Sequence, residues 1–263
     1  MKISIVGGGV MGQSLLAAAL DRKVFDPSDV VVCELVEQKR RQIASEFGVE
    51  VTSDAAAAMA SADFVVMSVK PQEAASVGGR LRPDAVLLSI MAGVRIETLR
   101  SEFGHERIIR AMPNTPVAAR AGMTVWTATP DVSDEQREAA RGLLQAVGRE
   151  IYADKEERLD MATAVSGSGP AYVFLFIEAL VEGAVAVGLP RDEAEEMVIQ
   201  TVLGAALFAR ESGRSPAELR GMVTSPAGTT AAGLLELERA SLRAAAVECI
   251  RAAHRRSIEL GNA

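Results

Sequence analysis

Histidine, cysteine and aromatic residues are scarce in this 263-residue chain, which has two histidines, two cysteines, one tryptophan and two tyrosines. Cys33 and Cys249 lie far apart in unlike contexts, so neither a disulfide framework nor a zinc cluster is indicated. A reducing compartment, the cytoplasm, fits that usage best. With only His105 and His254 beside them, no metal-ligand spacing can be assembled, and no metal is expected. Positive charge is also short. The 28 lysines and arginines stand against 35 acidic residues, a net charge of −7 that excludes a surface built to neutralise nucleic-acid phosphates. Long apolar runs are missing as well. The longest, Ala171–Leu180, is interrupted by Glu178 and followed by Glu182, short of the ~20 residues of a membrane span. It reads as a buried helix, and no membrane association is expected. The apolar start, Lys2–Val6, runs straight into three glycines without the pattern of an export signal.

What is present is the balance of an ordinary globular protein, with 49% hydrophobic and 24% charged residues. Over the first 150 or so positions, short β-rich runs alternate with periodic stretches. Strands are expected at Lys2–Val6, Val30–Glu34, Val49–Val51, Asp63–Val69, Ala85–Ile90, Arg107–Ala111, Met123–Thr127 and Glu150–Ala153. Helices are expected at Val10–Leu20, Glu37–Phe47, Asp54–Ala60, Ile96–Phe103 and Ser133–Val147, the last opened by a capping box from Ser133 to Gln136. Continuous apolar strands such as Phe64–Met67 suit a parallel sheet covered on both faces. The prediction is an α/β chain whose N-terminal part, residues 1–154, is a Rossmann-type doubly wound parallel sheet. From 155 to 263 the strand signal disappears and the chain reads as an all-α unit. A helical unit of about 100 residues has trouble hiding so much apolar surface by itself. It is expected to pack against another subunit.

Gly7-Gly8-Gly9-Val10-Met11-Gly12 fits G-x-G-x-x-G with a strand before it and a helix after it. Gly7 permits the tight turn, Gly9 lets the backbone approach a pyrophosphate, and Gly12 allows the helix to pack on the strand. The amides from Val10 and Met11 onward face the phosphates. Glu34 closes the second strand 22 residues after Gly12, near the spacing expected of a ribose-hydroxyl acceptor. A carboxylate there would repel a 2′-phosphate, which favours NADH over NADPH. Lys39, Arg40 and Arg41 either form a phosphate cradle, if Glu34 points away, or make a solvated helix face. Three more loops follow parallel strands, where ligands bind: Ser68-Val69-Lys70-Pro71-Gln72, Ala92-Gly93-Val94 and Met112-Pro113-Asn114-Thr115-Pro116. The Asn114 carboxamide either fixes its loop or meets a nicotinamide.

The second chemical signature is Ser225-Pro226-Ala227-Gly228-Thr229-Thr230, where small residues and hydroxyls precede a helix from about Thr229 to Glu238. Bare amides, a helix dipole and hydroxyls in one place suit a small carboxylate, although a plain capped helix start has the same look. Ser166-Gly167-Ser168-Gly169-Pro170-Ala171-Tyr172 reads as the start or kink of a long helix, or as a small-residue helix contact.

These blocks, in this order and over essentially the whole chain, resemble the pyrroline-5-carboxylate reductase family. The resemblance implies NAD(P)H-dependent reduction of the cyclic imine 1-pyrroline-5-carboxylate to L-proline, the last step of proline synthesis. It implies a homodimer built by interleaved helical domains, often assembled into a ring of dimers, with the active site between a nucleotide domain and a shared helical bundle. It places the substrate carboxylate on Ser225 and the backbone of Gly228, Thr229 and Thr230, with the Thr230 hydroxyl on the ring nitrogen. It sets Lys70, Asn114 and Pro116 beside the nicotinamide. Two positions depart from the family pattern. Ala227 stands where glycine is usual, which is acceptable only at negative φ, and Met91 stands where a smaller residue is common.

A protonated cyclic imine already accepts hydride well, so the chemistry asks for orientation and exclusion of water rather than a Lewis acid. A β-hydroxyacid dehydrogenase would need a helix-borne lysine and asparagine, but no lysine follows Lys155 and the only later asparagine is Asn262. A lactate-type histidine relay fits poorly, since His105 and His254 read as surface residues. A dinucleotide-binding scaffold without turnover is the alternative from another class, and the hydroxyl-rich loop argues against it.

Overall fold

The computed structural model describes residues 1–261. Its first part is an eight-stranded sheet of β1 (Ile3–Val6), β2 (Val30–Cys33), β3 (Glu50–Thr52), β4 (Phe64–Met67), β5 (Val86–Ser89), β6 (Ile108–Met112), β7 (Gly122–Ala128) and β8 (Gly148–Tyr152), in spatial order 3-2-1-4-5-6-7-8. Helices α1 (Val10–Asp21), α2 (Glu37–Phe47), α3 (Ala55–Ser61), α4 (Ile96–Phe103) and α5 (Asp134–Ala146) lie among the strands. The central strands β1, β4 and β5 are buried along their whole length. Alternate side chains then feed two cores. Ile3, Ile5, Phe64, Val66, Val86 and Leu88 join Leu15, Leu16, Leu143 and Leu144, while Val6, Val65, Met67 and Leu87 join Met59, Leu99 and Phe103.

The sheet is parallel except for one pair. β7 runs antiparallel to β6, pairing Ile109 with Ala128 and Met112 with Val125. The reason is the linker: residues 113–121, shaped by a 3₁₀ turn at Thr115–Ala119, are too few for a crossover. α5 then provides one, and β8 returns parallel to β7. The Ser133–Gln136 capping box starts α5 as expected.

Downstream come α6 (Glu157–Ala162), a π-helical turn (Thr163–Gly167), α7 (Gly169–Ala186), α8 (Arg191–Glu211), α9 (Pro216–Met222), α10 (Thr229–Arg239) and α11 (Leu242–Gly261). The chain separates into two compact units, residues 1–168 with 253 onward, and residues 169–252. The division therefore differs from the expected one after 154. α6 packs on the sheet's β6 and β7, the π turn meets Met112 at the end of β6 through Gly167, and the end of α11 is tied back to α6 by Ser257 and Asp160.

The second unit hides little of its own apolar surface. Of α7 and α8, only Val181 and Ala194 are buried, while Phe174 is 61% and Leu175 66% exposed. The stretch Ala171–Leu180 is thus not the buried helix expected within one chain. Its apolar residues sit on several faces of the helix, and the unit has too few elements to cover them all. The continuous helix 157–186 is also long and apolar enough to cross a membrane, although only 11% of its most apolar window is buried. Counting Ala171–Leu180 alone misses this, because helix geometry continues through Ser166–Pro170.

Candidate active site

The turn after β1 is built by close backbone approach. Gly7 has φ +108°, and a Cβ there would fall 2.8 Å from the Ser68 carbonyl. A Cβ on Gly12 would meet the Gly7 oxygen at 2.2 Å. Ser68 ties the two strand ends together, its hydroxyl donating to the Val6 and Gly7 carbonyls at 3.0 and 2.7 Å. Gly9 is different. It is the N-cap of α1, offers no side-chain cap, and a Cβ added to it would meet nothing within 4 Å. The protein's own packing does not require glycine there, so its smallness leaves room for something outside the chain. The first intrahelical bond runs from Gln13 N to Gly9 O, leaving the amides of Val10, Met11 and Gly12 without helical partners. That cradle fits a pyrophosphate.

Glu34 stands at the same edge. Its Oε2 lies 3.1 Å from where a Gly8 Cβ would be, and its Oε1 accepts the Val36 amide at 2.9 Å. Gly8 was not singled out as a site residue, although the triple-glycine run marks it. Only glycine there lets Glu34 and Ile43 approach the turn. Of the basic trio, Arg40 donates to the Glu34 and Leu35 carbonyls, both at 2.7 Å, and Arg41 pairs with Glu37, so two of the three are engaged within the loop and helix. Cys33 beside them is buried, and that burial, reinforced by the Glu34 charge, pushes its thiol up and away from nucleophilic use.

Of the other loops at this edge, Val69 is half-buried while Lys70 and Pro71 are exposed, Lys70 opening a 3₁₀ turn over Pro71–Ser76. Met91 turns into the core with Met67 and Leu99, so its size acts on packing. The Asn114 carboxamide ties its loop to two neighbours. Its Nδ2 donates to Ser166 O at 3.0 Å and its Oδ1 accepts the Met123 amide at 2.8 Å. Pro116 follows, half-buried, within the 3₁₀ turn. Gly167 lets Met112 close in, since a Cβ on it would be 2.8 Å from the Met112 methyl. His105 is a correction: it is buried, its Nε2 2.8 Å from the Ala85 carbonyl, a structural bond rather than a surface position.

The loop before α10, in the second unit, repeats the bare helix start with different chemistry. The Gly228 amide donates to Ser225 O at 3.1 Å across Pro226 and Ala227. Ala227 has φ +58°, which overturns the expectation of negative φ. A turn with proline second and a left-handed third residue is of the type II kind, which favours glycine at that third position. Gly228 lets Ser225 Oγ sit where it does, because a Cβ there would lie 2.3 Å from that hydroxyl. α10 has no side-chain cap, and its first bond, Ala232 N to Gly228 O, leaves the amides of Thr229, Thr230 and Ala231 free. Among the described residues, the hydroxyls of Ser225, Thr229 and Thr230 have no hydrogen-bond partner. Three amides and three hydroxyls are thus available for a small anion.

Two family matches cover most of the chain. Residues 156–260 match the pyrroline-5-carboxylate reductase dimerisation family, and residues 2–93 match the coenzyme F420-dependent NADP oxidoreductase family. A pyrroline-5-carboxylate reductase from Synechocystis sp. is 41% identical over 99% of this chain and 98% of its own. The chain belongs to the pyrroline-5-carboxylate reductase family. Among solved structures, the reductase of Coxiella burnetii superposes with a TM-score of 0.91 at 35% identity, covering 98% of each chain. The Plasmodium falciparum pyrroline carboxylate reductase with NADP bound gives 0.88 at 28% identity, covering 99% of this chain and 98% of that one. As a member of this family the chain is an NAD(P)H-dependent oxidoreductase with a Rossmann-like nucleotide fold.

Proposed function

We propose that this protein is a pyrroline-5-carboxylate reductase, reducing the C=N bond of 1-pyrroline-5-carboxylate to L-proline in proline biosynthesis. The observation that carries the reading is the uncapped start of α10, with free amides at 229–231 and unpartnered hydroxyls at Ser225 and Thr230, in a chain of this family. When bound, a reduced nicotinamide dinucleotide would supply the hydride for the imine carbon, the protonated ring nitrogen already carrying the proton of the amine. The remaining work falls to side chains and amides. The amides of Val10, Met11 and Gly12 hold the pyrophosphate, helped by the α1 dipole, with Gly7 and Gly9 giving the backbone its close approach. Glu34 accepts from the ribose. Ser68, Val69, Lys70 and Pro71 line the next stretch, and Pro116, on the loop that Asn114 fixes, borders the nicotinamide end.

The substrate carboxylate sits on Ser225 and the amides of Thr229 and Thr230, beside Gly228, whose own amide is taken by the Ser225 carbonyl. The Thr230 hydroxyl bonds the ring nitrogen, orienting the planar ring and stabilising charge as it changes there. No strong base is needed, because the electrophile is activated by its own protonation.

For the dinucleotide we assign a preference for NADH. A free Glu34 Oε2 at the ribose position repels a 2′-phosphate, and Arg40 beside it is committed to carbonyl oxygens. The P. falciparum relative holds NADP, so the preference is a property of these residues rather than of the fold. We further propose a cytoplasmic homodimer, assembled into a ring of dimers, whose second copy covers the apolar helices of residues 169–252. The dimerisation match over 156–260 and the charges Glu178 and Glu182 within those helices support a protein partner over lipid. Steady-state oxidation of NADH and of NADPH with 1-pyrroline-5-carboxylate, with L-proline identified as product, tests the reading. Proline formed faster from NADH is expected, and dinucleotide binding without proline formation refutes the activity.

A further inference from the structure

The last turns of α11 pack with the first unit, although the dimerisation match runs to residue 260. Two carboxylates one helical turn apart frame this contact, Asp160 holding α11 and Glu156 holding the sheet side. Glu156 accepts the Ile96 amide at 2.8 Å and pairs with Arg110 at 2.7 Å, a guanidinium on β6 that is only 3% exposed. Asp160, also 3% exposed, accepts the Ser257 hydroxyl at 2.8 Å and lies 3.7 Å from Arg95 Nη2. Arg95 immediately precedes α4, and its Nε is buried without a partner among the described residues. Gly261 brings the helix end close to Arg95, and Gly93 lies in ordinary contact with Leu260. A Cβ on Gly261 would stand 2.9 Å from Arg95 Nε, and one on Gly93, at φ +76°, 3.5 Å from Leu260 Cβ.

The segment gripped in this way is the loop Met91–Arg95, which leaves the carboxyl end of β5. Arg95 faces Asp160, the amide of Ile96 is held by Glu156, and Gly93 rests against Leu260. An apolar contact would fasten a helix end as firmly, since a buried polar pair is weak evidence for stability. What the polar pair adds is a single allowed register for the loop, because hydrogen bonds to buried carboxylates are directional.

We infer that Asp160, with Ser257 and Arg95, is a positioning set for the dinucleotide: it fixes the loop Met91–Val94 at the sheet edge where the nicotinamide end is bound. None of the three touches the reacting atoms; they act through the loop. The inference rests on the proposed function for what occupies that edge.

The test uses the full chain with Asp160→Asn, which keeps the shape but loses the charge facing Arg95, and Ser257→Ala, which removes the hydroxyl. Dinucleotide Kd is measured by fluorescence titration of NADH, without turnover, beside amide exchange of the unliganded protein. Kd is expected to rise about tenfold in Asp160→Asn and less in Ser257→Ala, while the KM for the cyclic imine stays put. Exchange at residues 91–96 and 257–261 is expected to quicken while the central strands keep their protection. Unchanged Kd and loop exchange in both variants overturn the inference, as does a Kd rise that merely follows global unfolding. Ser257→Ala carries the decision if Asp160→Asn does not fold. Should the wild type bind NADH but fail to reduce the imine, the activity is wrong while the Kd comparison still decides this point.

Discussion

The two compact units solve the same burial problem in opposite ways. Residues 1–168 place helices on both faces of a sheet and leave the sheet's central strands inaccessible. Residues 169–252 have a higher density of apolar helix and bury almost none of it. The difference shows where completeness lies: the nucleotide unit is finished by its own sequence, and the helical unit leaves its apolar faces open, to be covered by a second copy in the proposed dimer. The two helix starts repeat the contrast. At α1 the bare amides are framed by glycine alone, which suits an extended pyrophosphate. At α10 similar amides come with three hydroxyls, which suits a small acid with a second polar atom to orient.

The comparison breaks most visibly at the helical face. Replacing Phe174 and Leu175 together by glutamate should remove about 4 kcal/mol or more of burial per contact set. Sedimentation should then show monomers, with the first unit's unfolding transition retained. A stable dimer in that variant would mean that another surface joins the copies. In the nucleotide unit, Glu156→Ala leaves the Arg110 charge buried and unpaired, and should cost about 3 kcal/mol in chemical denaturation. Glu156→Gln should cost less, because an amide oxygen still accepts from Ile96 and Arg110.

The contrast between helix starts sharpens with Thr230→Ala, which should lower turnover about 100-fold while NADH binding stays within twofold. Wild-type turnover would remove Thr230 from the mechanism. The smallest effect belongs to Ala227→Gly. Releasing an alanine from left-handed geometry should stabilise the loop by about 1 kcal/mol, partly offset by the freer unfolded chain. A melting temperature that falls in this variant would contradict the observed turn.

Much of this was legible in residue order. Strand and helix periodicity placed all eight strands and helices α1 to α5 to within a residue or two, and the capping box at Ser133 formed as written. The glycine turn and the α10 loop stood out because bare backbone leaves a composition trace. Three things did not. The antiparallel return of β7 depends on a linker length, not on any residue pattern. The φ of Ala227 is set by the Pro226 turn rather than by alanine's own preference. The ties from Asp160 to Ser257 and from Asn114 to Ser166 and Met123 join residues whose separation in sequence says nothing of their contact. His105 misleads for the same reason, since its partner carbonyl belongs to Ala85.

The most direct test of the account is a crystal structure with oxidised dinucleotide and L-proline bound. The proline carboxylate should lie on Ser225 and the amides of residues 229 and 230 with its ring nitrogen at the Thr230 hydroxyl, and the pyrophosphate at Val10–Gly12. Proline density anchored away from the α10 loop would contradict it.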